Sequence, residues 1–313
     1  MTSWRVVAAN WRLAGAMLLL AACVRTQAAS TPGTRSAAVG ASTAAAAPRG
    51  TLFIVGGGTQ PMSLVQDFVT RAGGSRARIV VFAMASTVGE RGGEATAARF
   101  RTLGAEARNV WITREQANTD SVARLLDGAT AVWFGGGDQN RLTAVLRGTR
   151  TERAIRARYE QGAVVGGTSA GAAVISTPMI TGDELGDGRD TTQAWTRVAR
   201  GSVAVDSGFG YITTAIIDQH FLKRKRHNRL LSLVLATPPH LGIGIDEGTA
   251  LIVEPSGLWR IEGASSAFIV DARGAERTGT SAPVLGASGA RLHLLPAGST
   301  FDPGTGTAKL PAR

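Results

Sequence analysis

The chain has 313 residues, with 34 Lys or Arg against 23 Asp or Glu, and so carries a formal net charge of +11. A hydrophobic content of 44% is enough for a buried core, which excludes a disordered basic tail as a description of the whole. One cysteine excludes an intramolecular disulfide, and four histidines without a CxxC or HExxH supply too few soft ligands for a structural zinc site.

The charge is unevenly spread. Residues 1–50 hold Arg5, Arg12, Arg25, Arg35 and Arg49 and no acidic residue. Arg5 and Arg12 introduce the apolar run LAGAMLLLAA at 13–22, which is too short to cross a bilayer as a helix and has the pattern of an export signal, residues 1–22. Its end, Leu20-Ala21-Ala22-Cys23, resembles the bacterial lipobox, whose cysteine becomes the lipidated first residue of the mature chain. The expectation is an exported lipoprotein of the cell envelope held to a membrane through Cys23, each buried methylene contributing about 0.8 kcal/mol. A periplasmic or secreted protein is the alternative. Residues 23–50, rich in Ala, Ser, Thr, Gly and Pro, read as a flexible tether reaching roughly 30 Å.

From residue 51 a single catalytic domain, 51–313, is expected. Short β-rich runs at 51–55 (TLFIV), 77–85 (ARIVVFAMA), 109–113 (NVWIT), 130–137 (TAVWFGGG) and 162–169 (GAVVGGTS) alternate with segments of helical apolar spacing such as MSLVQDFVTRAG and NRLTAVLRG. Continuous apolar runs suit strands buried on both faces, so the fold class is α/β, a mostly parallel sheet flanked by helices. After His240 short strands and Gly-containing turns predict a C-terminal antiparallel β extension. Glycine loops at 56–58, 135–137 and 166–167 lie at strand ends, where such sheets bind ligands. None is a GxGxxG or a GxxxxGK[ST], so a nucleotide site is not indicated.

Gly167-Thr168-Ser169-Ala170-Gly171 is a G-x-S-x-G between a buried strand and the apolar stretch AAVIS, the context of a nucleophile elbow. Ser169 is the candidate nucleophile. The Ala170 amide is one expected oxyanion donor, and the 135–137 loop, at Gly137, supplies the other. Of the four histidines, His220 is best placed as base, since AIIDQHF follows an apolar run that would end at the same sheet edge. Glu247 is the expected carboxylate partner, with Asp246 and Glu184 as rivals.

KRKRHNR at 223–229 places five formal cations in seven residues directly after His220. It is short and lacks interleaved aromatics, which argues against nucleic acid. On a helix Arg226 and Arg229 share a face, with Arg224 reaching from the preceding loop, a set suited to carboxylate groups.

Phe134-Gly135-Gly136-Gly137-Asp138-Gln139, the 166–173 elbow, Asp218-Gln219-His220-Phe221 with Arg224, Arg226 and Arg229, and Gly242-Ile243-Gly244-Ile245-Asp246-Glu247 together closely resemble the cyanophycinase family. That is a serine-peptidase family with the class I glutamine amidotransferase-like, flavodoxin-like fold. The resemblance implies Ser169, His220 and Glu247 as catalytic residues and Gln139, Asp218, Gln219, Arg224, Arg226 and Arg229 as substrate-binding residues. It implies hydrolysis of cyanophycin, a polyaspartate with arginine on each β-carboxyl, to β-Asp-Arg dipeptides through an acyl-enzyme, with no metal or organic cofactor. A carboxylate such as Asp218 would then receive the substrate guanidinium. The partners expected are this or another Asp/Arg-containing peptide and a membrane, with a homodimer left open. Alternatives are a related aspartyl or isoaspartyl peptidase, and a surface lipoprotein that only binds acidic polymers. The long polar stretch 181–208 departs from the family pattern and bears on the substrate more than on the reaction.

Overall fold

In the computed structural model residues 50–184 and 197–312 are described, apart from the side chains at 183 and 184. The expected signal 1–22, Cys23 and the tether to residue 49 lie outside the described residues. The first half alternates as expected: β1 (Thr51–Val55), α1 (Met62–Arg71), β2 (Arg78–Phe82), α2 (Glu90–Arg101), β3 (Glu106–Asn109), α3 (Arg114–Ala117), α4 (Asp120–Ala123), β4 (Ala131–Phe134), α5 (Gln139–Leu146), α6 (Arg150–Glu160) and β5 (Val164–Thr168). These five strands are parallel neighbours in the order β3-β2-β4-β5-β1.

Their apolar runs are continuous because each face meets a different layer. Phe53, Val55, Ile79, Val81 and Trp133 pack with Leu64, Phe68 and Phe100 of α1 and α2. The alternate positions Leu52, Ile54, Val80, Phe82, Val132 and Phe134 pack with Leu142 of α5, Ile155 of α6 and the segment after Ser169. At roughly 1.5–3 kcal/mol per buried large apolar side chain, this two-sided burial holds the sheet against its entropy cost. One boundary differs from expectation. β3 lies at 106–109 rather than 109–113, since Val110 N still donates to Val81 O but Thr113 caps α3 and draws the chain out of the ladder.

The second half departs further from the single sheet expected. It contains α7 (Ala170–Ala173), β6 (Met179–Glu184), β7 (Val203–Asp206), β8 (Ile216–Gln219), α8 (His227–Ala236), β9 (Leu241–Ile245), β10 (Thr249–Val253), β11 (Trp259–Gly263) and β12 (Ser266–Asp271). β10 and β11 extend the main sheet antiparallel from β1, and a hairpin of Thr300–Asp302 and Thr307–Lys309 closes it at nine strands. β6, β8 and β9 are instead mutually parallel in a separate six-stranded sheet, with β12 and Arg291–Pro296 antiparallel on one side and β7 on the other. The polar stretch 181–208 thus contributes two paired strands.

The glycines of β9 explain why this sheet has a helix against it. A side chain on Gly242 would meet Leu230 and Val234 of α8, and one on Gly244 would enter the Phe221 ring. Ile243 and Ile245, on the opposite face, join the core beneath the main sheet. The second sheet is therefore wedged between that core and α8. Among the described residues no helix is long and apolar enough to cross a membrane.

Candidate active site

β5 ends in a turn that only small residues can make. A Cβ on Gly167 would stand 2.9 Å from the Gly171 Cα, and one on Gly171 would overlap the Phe134 carbonyl. Ser169 has φ 54° and ψ −112°, and its amide donates to Val55 O at 3.0 Å. Such a backbone costs of order 1–3 kcal/mol and persists only where its surroundings enforce it. Here Ala170, Ala172 and Ala173, all fully or almost fully buried, pin the following turn into the core. The helix after the elbow is a single turn rather than the whole of AAVIS, because the chain leaves it for Pro178 and β6.

His220 directly follows β8, also at positive φ, 50°. Its Nε2 lies 2.9 Å from Ser169 Oγ and its Nδ1 2.6 Å from Glu247 Oε1, an unbroken serine, imidazole and carboxylate relay. Glu247 is carried by the turn between β9 and β10. Asp246 beside it points elsewhere, accepting from Lys223 N at 2.9 Å and from Ser265 Oγ at 2.9 Å. The other rival, Glu184, has a side chain outside the described residues. The other histidines are engaged away from the serine: His227 packs edge-on against Phe221 and Phe268, His240 Nδ1 lies 2.7 Å from Val234 O, and His293 packs edge-on against Phe301.

The first glycine loop, expected at a strand end near the site, seats this relay. A Cβ on Gly57, φ +108°, would collide with the His220 imidazole, and one on Gly58 would stand 2.7 Å from Glu247 Cβ. The loop also holds both segments by their backbones, since His220 N donates to Gly56 O at 2.6 Å and Gly248 N donates to Gly57 O at 2.9 Å.

Burial is the main influence lowering the His220 pKa below the ordinary histidine value. The Glu247 hydrogen bond opposes this, and the charges of Arg224 and Arg226 reinforce it. This favours the neutral imidazole, the form able to accept a proton. Among the described residues the amides of Gly136, Gly137 and Ala170 have no acceptor. A Cβ on Gly136 would lie 3.4 Å from Ser169 Cβ, which puts the 136–137 backbone beside the serine, with the expected Gly137 and Ala170 amides as candidate donors.

Ser169 opens into a cleft of about 450 Å³ lined by Gly137, Gln139, Gln219, Arg224 and Arg226, as expected, and by Asp138, Asn140, Thr181 and Gly182, which were not. Gln139 Nε2 donates to Ile180 O at 2.8 Å and Thr181 O at 2.5 Å, tying α5 to β6. Arg226 Nη1 donates to Gln219 O at 2.7 Å and Gln219 Oε1 at 3.0 Å. Arg224 is exposed at the rim.

Two of the expected substrate-binding residues lie behind this wall. Asp218 and Arg229 have side chains 0% and 1% exposed and face each other, with Arg229 Nε donating to Asp218 Oδ2 at 2.7 Å and Arg229 Nη2 to Asp218 Oδ1. The pair clamps α8 to β8 and thereby sets Arg226, the residue capping α8, at the cleft. Removing one partner of such a buried pair costs about 3–5 kcal/mol because the other charge is stranded. Helical spacing placed Arg226 and Arg229 on a shared face, but Arg226 stands before the first turn of α8 and does not follow its phase.

A relay of this kind at the carboxyl ends of parallel strands belongs to a serine hydrolase. The model of peptidase family S51 matches residues 52–260, and the chain belongs to that family. It is 35% identical over 262 residues to the cyanophycinase of Trichormus variabilis, covering 80% of this chain and 84% of that one, and 31% identical over 265 residues to that of Synechococcus elongatus, covering 81% and 79%. Its fold is similar to that of a peptidase from an acI-B1 Actinobacterium, with a TM-score of 0.57 and 22% identity over 82% of this chain and 98% of that one. The protein is thus a serine-type peptidase of the cyanophycinase-like kind.

The contact between Gly57 and the imidazole gives a direct test. Gly57→Ala displaces His220 from Ser169 and is expected to lower kcat of peptide hydrolysis about 100-fold, the penalty of roughly 1 Å of misplacement, as measured by steady-state kinetics on the folded variant.

Proposed function

We propose that the protein hydrolyses cyanophycin to β-Asp-Arg dipeptides through an acyl-enzyme on Ser169. The observation that carries this reading is the Ser169–His220–Glu247 relay opening onto a cleft walled by Arg224 and Arg226. Similarity to curated cyanophycinases supports it. Each substrate repeat presents an arginine α-carboxylate, the group that guanidiniums hold best through paired hydrogen bonds.

In this mechanism His220 Nε2 takes the Ser169 hydroxyl proton as Oγ attacks the backbone carbonyl carbon of an aspartyl unit. Glu247 holds the Nδ1–H tautomer and stabilises the imidazolium. Amides of Ala170 and the 136–137 loop receive the negative oxygen of the tetrahedral intermediate. The C–N bond then breaks, His220 returns the proton to the leaving amine, and an ester to Ser169 remains. Water, deprotonated by His220, attacks the ester and releases the aspartyl carboxylate and the free serine.

We also extend the reading to location: Cys23 bears the lipid that holds an exported enzyme at the cell envelope, so that polymer is met outside the cytoplasm. Metabolic labelling with a fatty acid is expected to mark the wild-type protein and to leave Cys23→Ala unlabelled.

On insoluble cyanophycin, wild-type protein is expected to release β-Asp-Arg, identified by mass, and Ser169→Ala to release none. Activity surviving that substitution would sink the serine mechanism. Since only neutral His220 can accept the proton, kcat/KM should rise with pH along a limb centred below the usual histidine value of about 6.5. Arg224→Gln removes a charge that lowers the His220 pKa and should move this limb to higher pH in a pH–rate profile.

A further inference from the structure

A substrate built from β-Asp-Arg units brings a guanidinium into a cleft already lined by two of the protein's own, and a carboxylate must receive it. Asp218, the acidic residue that the sequence offered, is fully buried and bidentate with Arg229. Among the described residues the one carboxylate that lines the cleft is Asp138, next to the 135–137 glycine loop, and Ser169 lines the same cleft.

Asp138 is well placed for this work. Its Oδ1 accepts from Asn140 N at 2.9 Å at the start of α5, which fixes the side-chain direction. Its Oδ2 is only 3.9 Å from Arg141 Nε, a loose pairing between side chains 46% and 56% exposed, so an arriving guanidinium can displace it. Beside it, Gln139 commits Nε2 to the backbone of β6 and leaves Oε1 without a donor among the described residues. A carboxylate oxygen and an amide oxygen on adjacent residues are two acceptors for one planar fork of N–H donors.

We propose that Asp138, with Gln139 Oε1, is the guanidinium-recognition site of the cleft and makes it selective for arginine-bearing aspartyl peptides. This rests on the proposed cyanophycin reading and names its specificity determinant. The cleft is then polarised, with Arg224 and Arg226 for the substrate carboxylate and Asp138 for its guanidinium. It prefers a zwitterionic repeat to a simply acidic polymer.

The test compares two soluble aspartyl oligomers, one bearing arginine on each β-carboxyl and one bearing citrulline, which has nearly the same shape without the charge. Asparagine caps helices as well as aspartate, so Asp138→Asn removes the charge while keeping the start of α5. Wild-type kcat/KM is expected to favour arginine by about 10- to 100-fold, the range for a hydrogen bond to a charged group, and Asp138→Asn to collapse most of that ratio. A ratio unchanged in Asp138→Asn, a wild-type enzyme indifferent to the charge, or equal losses on both oligomers would overturn the assignment while leaving the cyanophycin reading standing. Failure of wild-type protein to cleave either oligomer or the polymer would instead refute that reading and this inference with it.

Discussion

The contact between Ser169 Oγ and His220 Nε2, 2.9 Å long, joins residues from two different sheets. Ser169 follows β5 of the nine-stranded sheet, and His220 follows β8 of the six-stranded one. Neither can make the contact from an ordinary extended backbone, and both sit at positive φ. Strain of this kind persists only where neighbours hold it on every side. On one side are the alanines buried after the serine, and on the other the backbone bond from His220 N to Gly56 O. The glycines at 57 and 58 are the spacers that let a third segment pass close against the imidazole and the carboxylate. Much of the second sheet follows from this constraint. β9 carries Glu247 to the same point from the strand next to β8, and β10 then returns the chain to β1.

The basic segment after His220 is divided by burial into parts with different physics. Arg229 is committed to Asp218 inside the protein, where its charge anchors a helix and is hidden from solvent. Burial, followed by the neighbouring Arg229, pushes the Arg226 pKa down to about 10, which leaves it cationic at neutral pH. Arg226 is held on Gln219 and faces the cleft, while Arg224 stands at the rim. The same two cations lower the basicity of His220, so the wall that attracts an anion also keeps the imidazole ready to accept a proton. Substrate attraction and base activation are coupled through one electrostatic field.

Aspartate 246 and glutamate 247 illustrate how adjacent residues of one type diverge. They sit on the same turn, yet one holds the imidazole and the other holds the backbone at Lys223 and the side chain of Ser265. The turn after β9 sends them to different partners. The turn therefore fixes both the relay and the loop that carries Arg224, so the serine chemistry and the cationic wall are built on a common support.

Composition and pattern by themselves determined the parallel α/β order of the first half, because strands buried on both faces must be apolar throughout. They also picked out Ser169 and His220, because a G-x-S-x-G after a buried strand and a histidine at the end of another have few structural alternatives. Glu247 could be preferred to Asp246 but not separated from it, as neighbours on a turn have no periodicity to distinguish them. The division into two sheets was not legible, since β8 and β9 read like any buried strands and their partners are chosen by packing on α8 and Phe221. The clamp of Asp218 on Arg229 and the standing of Asp138 in the cleft were likewise decided only in three dimensions. A charged side chain shows its type in the sequence, but whether it meets solvent, substrate or an opposite charge depends on which residues the fold brings within a few ångströms of it.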